Sequence, residues 1–197
     1  MGTGKSGGRR AVFLDRDGVI NRNVLNPATG EYESPLTVVD FEFAPSALEA
    51  MCALQGAGFL LFLVSNQPNY AKGKSSLKML ESIHEELLSG LTQAGIEFAG
   101  FYYCFHHPLG NLAGYSEPCE CRKPSPYFLL KAQAEFVVDL RQSWMIGDRL
   151  PDIRCGKDAG AKTVLIHAGE TVPNSDVLPD GIAPDLSAAV RLILASE

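Results

Sequence analysis

The sequence lacks an apolar run long enough to cross a membrane and lacks an excess of basic residues. Its longest apolar run, Phe59 to Val64, is far shorter than the roughly 20 residues that a membrane span requires. The 197 residues include 17 Lys and Arg against 23 Asp and Glu, the formal net charge is −6, and the basic residues are scattered. Nucleic-acid binders carry a clustered basic footprint. We therefore expect a soluble protein whose partners include neither a membrane nor a nucleic acid.

Features of exported proteins are also scarce. Residues 1–10 are rich in Gly, Ser and basic residues but lack an apolar segment behind their charges, so we expect a flexible tail rather than a secretory signal. The cysteines number five, an odd count, and three of them lie between Cys104 and Cys121. Such clustering favours a metal over disulfides. A reducing, cytoplasmic compartment fits this cysteine usage.

Apolar material is abundant, because 46% of the residues are hydrophobic. A chain of this size and composition forms one ordinary domain with a substantial core. We place that single domain at residues 11–197.

Short apolar runs alternate with amphipathic segments along the chain. Residues 11–14 and 59–64 predict buried strands, with a helix from about Ala47 to Gly56 between them. The later elements are strands near 98–103, 144–146 and 163–166, and helices near 75–95, 126–136, 150–159 and 186–194. This alternation predicts an α/β fold with a doubly wound parallel sheet and helices on both faces.

Polar residues stand where the predicted strands end. Asp15, Ser65 and Asp148 each close or follow a strand. In doubly wound sheets the ligand lies beyond the carboxyl ends of the strands. We therefore expect these three side chains at one edge of the sheet.

Two carboxylates follow the first strand directly, in Asp15-Arg16-Asp17-Gly18-Val19. One can attack a substrate while the other transfers protons. A solvated acidic turn is the alternative interpretation of so short a motif, which needs its structural context. Here the context is a serine at a strand end, a lysine before a proline and a GDxxxD motif: Ser65, Lys123 and Gly147-Asp148 with Asp152.

This order of motifs resembles the haloacid dehalogenase (HAD) superfamily. The resemblance implies a magnesium-dependent phosphatase in which Asp15 attacks phosphorus and forms an aspartyl phosphate. Asp17 would protonate the leaving alkoxide and then deprotonate the hydrolytic water. Ser65 and Lys123 would hold the transferring phosphoryl oxygens. The implied magnesium ligands are Asp15, Asp148 and the main-chain carbonyl of Asp17, with Asp152 orienting the site from behind the ligands.

A second group of residues suits a structural zinc ion. The segments Cys104-Phe105-His106-His107-Pro108 and Cys119-Glu120-Cys121 offer four N and S ligands, the usual set for such a site. We predict the ligands Cys104, His106, Cys119 and Cys121, with His107 as the alternative to His106. Cys121 precedes Lys123 by two residues, so zinc would fix the lysine that binds phosphate.

Longer stretches are similar to the D-glycero-D-manno-heptose-1,7-bisphosphate phosphatases, which have close relatives among the histidinol phosphatases. The similarity covers about residues 10–170 and includes Asp15 to Asn21, Phe41-Glu42-Phe43, Ser65-Asn66-Gln67 and Tyr102 to Pro108. It implies a small phosphate-ester substrate that is contacted by Asn66, Arg122 and Lys72.

The motif spacing leaves no room for a cap domain, so loops must select the substrate. Two loops depart from the family pattern: Pro68 to Gly73 differs in sequence, and the first loop, Asn21 to Asp40, is longer than usual. Both should form the rim of the substrate site.

Other functions stay open at this stage. Within the phosphatases, the alternatives are a histidinol phosphatase or a phosphatase of another small sugar phosphate. A HAD-type phosphotransferase or dehalogenase is a second class, although dehalogenases generally lack the second aspartate that Asp17 supplies. A non-enzymatic zinc-loop module would require a missing catalytic residue, and none is missing. The sequence does not predict an oligomeric state.

Overall fold

The computed structural model describes residues 8–27, 30–169 and 176–196. Most of the predicted flexible tail, residues 1–7, lies outside them. The strands are β1 (Ala11–Leu14), β2 (Val24–Leu25), β3 (Tyr32–Glu33), β4 (Leu60–Asn66), β5 (Gly100–Cys104), β6 (Trp144–Gly147), β7 (Lys162–Ile166) and β8 (Gly181–Ala183). The helices are α1 (Ala47–Gly56), α2 (Leu77–Gln93), α3 (Tyr127–Phe136), α4 (Leu150–Asp158) and α5 (Leu186–Ala195).

Six of these strands form a parallel sheet in the order β5-β4-β1-β6-β7-β8. The register places Leu14 beside Leu63 on β4 and beside Ile146 on β6. The carboxyl ends of β4, β1 and β6 therefore meet at one edge. Strands β2 and β3 pair separately as an antiparallel hairpin in the loop that follows β1.

Alternating side chains of β1 divide the core into two layers. Val12 and Leu14 pack on one face with apolar residues of α1, α2 and α5. Ala11 and Phe13 pack on the other face with residues of α3 and α4. All four side chains are fully buried, as expected where helices cover both faces of a parallel sheet. The predicted doubly wound α/β fold is confirmed.

Helix α2 is capped at its N-terminus by Ser76. The Ser76 side chain accepts a hydrogen bond from the Met79 amide at 3.1 Å, which satisfies a free N–H of the first turn. Leu80, Ile83, Leu87 and Leu91 form the buried apolar stripe of this helix, whereas Leu77 and Leu88 are exposed. Both residues lie beyond the stripe that faces the sheet.

The sequence missed β8 and the hairpin β2–β3. Each of these strands has only two or three residues, too few for an apolar period to be recognised. Within the described residues, none of the helices combines the length and the apolar character that a membrane crossing requires.

Candidate active site

The predicted catalytic residues come together at the carboxyl edge of the sheet. Asp15 follows β1, and its amide donates to the Ile146 carbonyl on β6 at 3.0 Å. Ser65 is the penultimate residue of β4, where it pairs with Tyr103 on β5. Asp148 follows β6 directly. The edge thus unites residues that are more than 130 positions apart in sequence.

Lys123 is a buried cation that contacts two carboxylates at this edge. Its Nζ lies 2.9 Å from Asp15 Oδ1 and 2.6 Å from Asp152 Oδ1, and it donates to the Val64 carbonyl at 2.7 Å. Burial alone would lower the pKa of Lys123, but the carboxylates of Asp15 and Asp152 raise it above its ordinary value. The ammonium therefore keeps its charge, which a buried ion pair requires of both partners.

Three carboxylates surround a space that suits a hard cation. One oxygen from each of Asp15, Asp148 and Asp152 lies within 4.8 Å of the other two. Burial, together with the neighbouring carboxylates, raises the pKa of Asp15 to about 7 although Lys123 opposes the shift. Burial and Asp152 raise the pKa of Asp148 to about 6. A divalent cation with oxygen ligands relieves this kind of repulsion.

One carboxylate oxygen of Asp148 could serve as a metal ligand. Its Oδ1 is buried and receives no hydrogen bond from the described residues, while Oδ2 accepts one from Asn23 at 3.3 Å. Gly18 allows the backbone after Asp17 to pass close to the Asp148 carboxylate. A Cβ at this residue would collide with that carboxylate, and its φ of +80° favours glycine. Asp152 has less freedom, since its oxygens already contact Lys123 Nζ and the Arg149 amide.

Asp17 is held by a network of side chains. Arg16 Nε and Nη2 donate to its two oxygens at 3.0 and 3.3 Å. Asn21 donates to Oδ1 at 3.1 Å, and Gln67 donates to Oδ2 at 2.7 Å. Gln67 Nε2 also lies 2.9 Å from Ser65 Oγ. This amide therefore links the serine expected to bind phosphate to the aspartate expected to transfer protons.

Asn66 is directed at the backbone of Lys123. Its Oδ1 accepts from the Lys123 amide and its Nδ2 donates to the Lys123 carbonyl, both at 3.1 Å. The residue also lines the pocket that opens onto Asp15, Asp17 and Lys123. Its amide groups are nevertheless engaged in positioning the lysine, a role that the sequence did not suggest.

The predicted zinc ligands form a compact cluster. Cys104 Sγ lies 3.6 Å from Cys119 Sγ and 3.8 Å from His106 Nδ1. Cys121 Sγ lies 3.6 Å from each of the same two atoms. A tetrahedral zinc ion with bonds of about 2.3 Å to sulfur and about 2.0 Å to nitrogen separates its ligand atoms by about 3.5 to 3.8 Å. The geometry thus fits zinc.

His106 rather than His107 belongs to this cluster. His107 Nδ1 accepts a hydrogen bond from the Leu109 amide at 3.0 Å, and the ring lies outside the group of four ligands. Arg122 Nη1 donates to the His106 carbonyl at 2.9 Å. The cluster is therefore joined to the segment that carries Lys123.

A pocket of about 110 Å³ opens onto Asp15, Asp17 and Lys123. Arg122 lines it, as does Arg149, a residue that the sequence analysis did not single out. Lys72 lies instead in an adjoining polar hollow. A roomier cavity of about 310 Å³ lies behind Arg16, against α2. Its walls are mostly apolar, and neither Asp15 nor Lys123 reaches it.

Five polar residues of this site were missed or left without a role: Arg16, Asn21, Asn23, Gln67 and Arg149. Arg16, Asn21 and Gln67 stand inside the stretches that resemble the heptose bisphosphate phosphatases, which is the one signal that could have found them. Their hydrogen-bond partners are set by the fold, and so their roles do not follow from spacing.

Comparison with known proteins gives a consistent result. Residues 120–189 match the family model described as HAD-hydrolase-like. A D-glycero-beta-D-manno-heptose-1,7-bisphosphate 7-phosphatase of Yersinia pestis is 37% identical over 82% of this chain and 82% of its own. The protein of that name from Escherichia coli K12 is 34% identical over 90% of both chains.

A solved structure is also similar. The D,D-heptose 1,7-bisphosphate phosphatase from B. bronchiseptica, complexed with magnesium and phosphate, aligns with a TM-score of 0.75 and 25% identity. The alignment covers 95% of this chain and 99% of that chain. The similarity therefore extends over the whole fold, including the edge of the sheet that carries the site.

Proposed function

This chain belongs to the D-glycero-beta-D-manno-heptose-1,7-bisphosphate 7-phosphatase family of HAD-like hydrolases, and from that membership we propose that it hydrolyses one phosphate ester of a sugar bisphosphate. The observation that carries the proposal is the Asp15 carboxylate, buried at a strand end and contacted by Lys123 at 2.9 Å. This contact supports the proposal because it holds the proposed nucleophile beside the cation proposed to bind the phosphoryl group.

Asp15 is the proposed nucleophile. Its Oδ1 accepts hydrogen bonds from the Arg16 amide at 2.8 Å and contacts Lys123 Nζ at 2.9 Å. These contacts fix the plane of the carboxylate, and a fixed near-attack geometry lowers the barrier. Attack on phosphorus forms the aspartyl phosphate and breaks the bond to the sugar oxygen. Water then cleaves the acyl phosphate and regenerates Asp15.

Magnesium is the proposed cofactor of this step. Asp15, Asp148 and the main-chain carbonyl of Asp17 would hold the ion, which screens the negative charges of carboxylate and phosphate when it is bound. Asp148 Oδ1 is buried and receives no hydrogen bond from the described residues, which supports this assignment. Asp152, bonded to Lys123 and to the Arg149 amide, acts as an orienting residue.

Asp17 is the proposed acid and base. It donates a proton to the leaving sugar oxygen and later removes one from the attacking water. Arg16, Asn21 and Gln67 hold its carboxylate, so that it stays beside the reacting atoms. Ser65 and Lys123 bind the equatorial phosphoryl oxygens, where the charge of the transition state is spread.

Zinc is proposed as a structural ion. The spacing of Cys104, His106, Cys119 and Cys121 supports it, and no ligand position is left for substrate. The ion would hold the segment that ends in Lys123.

The basic residues around the site support a bisphosphate as the substrate. A bisphosphate needs cations for the phosphate that is not cleaved, and Arg122 lines the catalytic pocket while Lys72 lines the adjoining hollow. A guanidinium group suits the geometry of phosphate. Histidinol phosphate, the alternative, carries an amine that both cations would repel. The cytoplasmic location and the single domain at 11–197 stay predictions, as does the absence of a cap domain.

Side-by-side kinetics test the proposal. We expect a higher kcat/KM for D-glycero-D-manno-heptose 1,7-bisphosphate than for histidinol phosphate in the presence of magnesium. Arg122→Ala should reduce this preference, since it removes a cation from the pocket. A wild-type preference for histidinol phosphate, or an Arg122→Ala variant that loses nothing on the bisphosphate, contradicts the assignment.

A further inference from the structure

A polar hollow of about 210 Å³ lies between the hairpin β2–β3 and the loop of residues 67–74. We call it the distal hollow. Ser34, Pro68 and Arg149 line both this hollow and the catalytic pocket. The two spaces are therefore contiguous, and a substrate that is bound at Asp15 can extend from one into the other.

The charges of the distal hollow suit an anion. Lys72, Lys74 and Arg149 line it, together with Glu31 and Glu33 of the hairpin. Lys74 and Arg149 come from different parts of the chain, and neither residue has a proposed role in the reaction at Asp15. Cations that converge on a hollow beside a phosphatase site are well placed to receive a second phosphate.

Glu33 already occupies part of this hollow. Lys74 Nζ lies 2.9 and 3.0 Å from its two carboxylate oxygens, and Asn26 Nδ2 donates to it at 3.1 Å. The hydrogen bonds from Lys74 and Asn26 lower the pKa of Glu33 below its ordinary value. Its side chain is 18% exposed against 41% for Lys74. The Glu33 carboxylate thus binds Lys74 through both oxygens, as a phosphate group would.

We propose that the distal hollow is an anion subsite for the second phosphate of the substrate, and that Glu33 is an internal competitor for it. The proposal rests on the proposed function in one respect, namely that the substrate carries two phosphates. A distal phosphate competes with Glu33 for Lys74, whereas a substrate with a neutral distal end leaves this ion pair intact. Glu33 and Lys74 therefore determine how strongly the enzyme prefers a bisphosphate to a monophosphate.

A plain structural role for the same ion pair predicts something different. If Glu33 and Lys74 only fasten the hairpin to the loop, then removing either partner breaks the same contact. Both variants should then change the preference in the same direction, or leave it unchanged. In the competitor scheme the two variants change it in opposite directions.

The test uses the full chain and two simple esters, hexane-1,6-diyl bisphosphate and hexyl phosphate. The readout is the ratio of kcat/KM for the bisphosphate to kcat/KM for the monophosphate. Glu33→Gln keeps the shape of the side chain but loses its charge, so we expect this ratio to rise about three- to tenfold. Lys74→Met removes the cation, and we expect a fall of similar size, as for a hydrogen-bonded charge at a half-exposed site.

Two controls sharpen the comparison. Lys131→Met removes a lysine that pairs with Glu135 at 3.8 Å on the exposed face of α3. This variant should leave the ratio unchanged. In the Lys74→Met background, Glu33→Gln should lose most of its effect, because the two residues act on one site. Shifts of the same sign in Glu33→Gln and Lys74→Met, or no shift in either, overturn the proposal.

Failure of the proposed substrate gives a different pattern. An enzyme that cleaves both hexyl esters but not the heptose bisphosphate contradicts the sugar assignment. The opposite shifts of Glu33→Gln and Lys74→Met would still establish the subsite in that case.

Discussion

The Asp15 carboxylate contacts the Lys123 ammonium and is also a proposed ligand of magnesium. Lys123 contacts it directly at 2.9 Å, and Asp148 and Asp152 stand close enough to complete a metal site. In the proposed mechanism a substitution at Asp15 affects nucleophilic attack and metal binding together, while Lys123 keeps a partner in Asp152 at 2.6 Å.

For Asp15→Asn we expect turnover to fall below detection while the fold is retained. The amide matches the carboxylate in shape but is neither an anionic nucleophile nor a good ligand for magnesium. Lys123 retains one carboxylate, so the variant avoids an unpaired buried charge. Phosphate release with p-nitrophenyl phosphate measures activity, and circular dichroism checks the fold. Wild-type turnover in this variant contradicts the mechanism.

For Asp17→Asn we expect a loss that depends on the leaving group. A sugar alkoxide needs a proton as it departs, so the loss on a sugar phosphate should be about 10²- to 10⁴-fold, the usual contribution of a general acid. A p-nitrophenolate hardly needs that proton, and the loss on its ester should be smaller. The measurement is kcat/KM on both esters for wild type and variant. Equal losses on the two esters argue against proton transfer by Asp17.

At the scale of elements, the segment between β5 and α3 brings Lys123 to the end of β1. Two sets of contacts hold it there: the paired hydrogen bonds of Asn66 with the Lys123 backbone, and the cluster that includes Cys121 two residues earlier. Asn66 ends β4, and Lys123 Nζ also donates to the Val64 carbonyl on that strand. The position of this lysine therefore depends both on β4 and on the loop that precedes it.

For Cys119→Ser we expect zinc to be released and activity to fall. Wild type should contain one tightly held zinc per chain, which elemental analysis after dialysis into metal-free buffer measures. Lost zinc loosens the segment of Lys123, and a displacement of about 1 Å in a catalytic group can cost on the order of 100-fold. Cys52→Ser is the matched control, since this cysteine is exposed and distant in sequence from the cluster. Full activity in a zinc-free Cys119→Ser variant refutes the positioning role.

At the scale of the whole molecule, the crowded carboxylates link folding to pH. Burial raises the pKa of Asp15 to about 7 and that of Asp148 to about 6, both above the ordinary value of 3.8. An acid whose pKa rises on folding stabilises the folded state below its unfolded pKa, and this contribution is lost as pH rises through the folded pKa. The metal-free protein should therefore lose stability between about pH 4 and about pH 7 from this source.

Added magnesium should reverse that loss, and more strongly at high pH. Cations bind the ionised carboxylates, so we expect the rise in Tm on adding MgCl₂ to be larger at about pH 8 than at about pH 5.5. Differential scanning fluorimetry in magnesium-free buffer, with and without MgCl₂, measures the rise. Asp148→Asn should abolish most of it. A magnesium effect on Tm that is independent of pH contradicts this account of the site.

The sequence by itself determined the fold class and which candidate site residues the fold would bring to one edge of the sheet. Apolar runs end in Asp15, Ser65 and Asp148, and parallel strands place such ends at one edge. The cysteine spacing likewise predicted that Cys104, His106, Cys119 and Cys121 would form a cluster that could hold a metal. These inferences succeed because they depend on local periodicity and on the chemistry of single residue types, both of which can be read along the chain.

Only the tertiary structure decided which side chains pair. Asn66 bonds the Lys123 backbone, Gln67 joins Ser65 to Asp17, and Glu33 meets Lys74 across two loops. The sequence suggested that Asn66 contacts substrate, which stays a prediction. Three of these contacts join residues 41, 50 and 57 positions apart, and a hydrogen bond depends on distances of a few tenths of an ångström. Such distances follow from how loops pack on the finished sheet, and no periodicity in the chain encodes them.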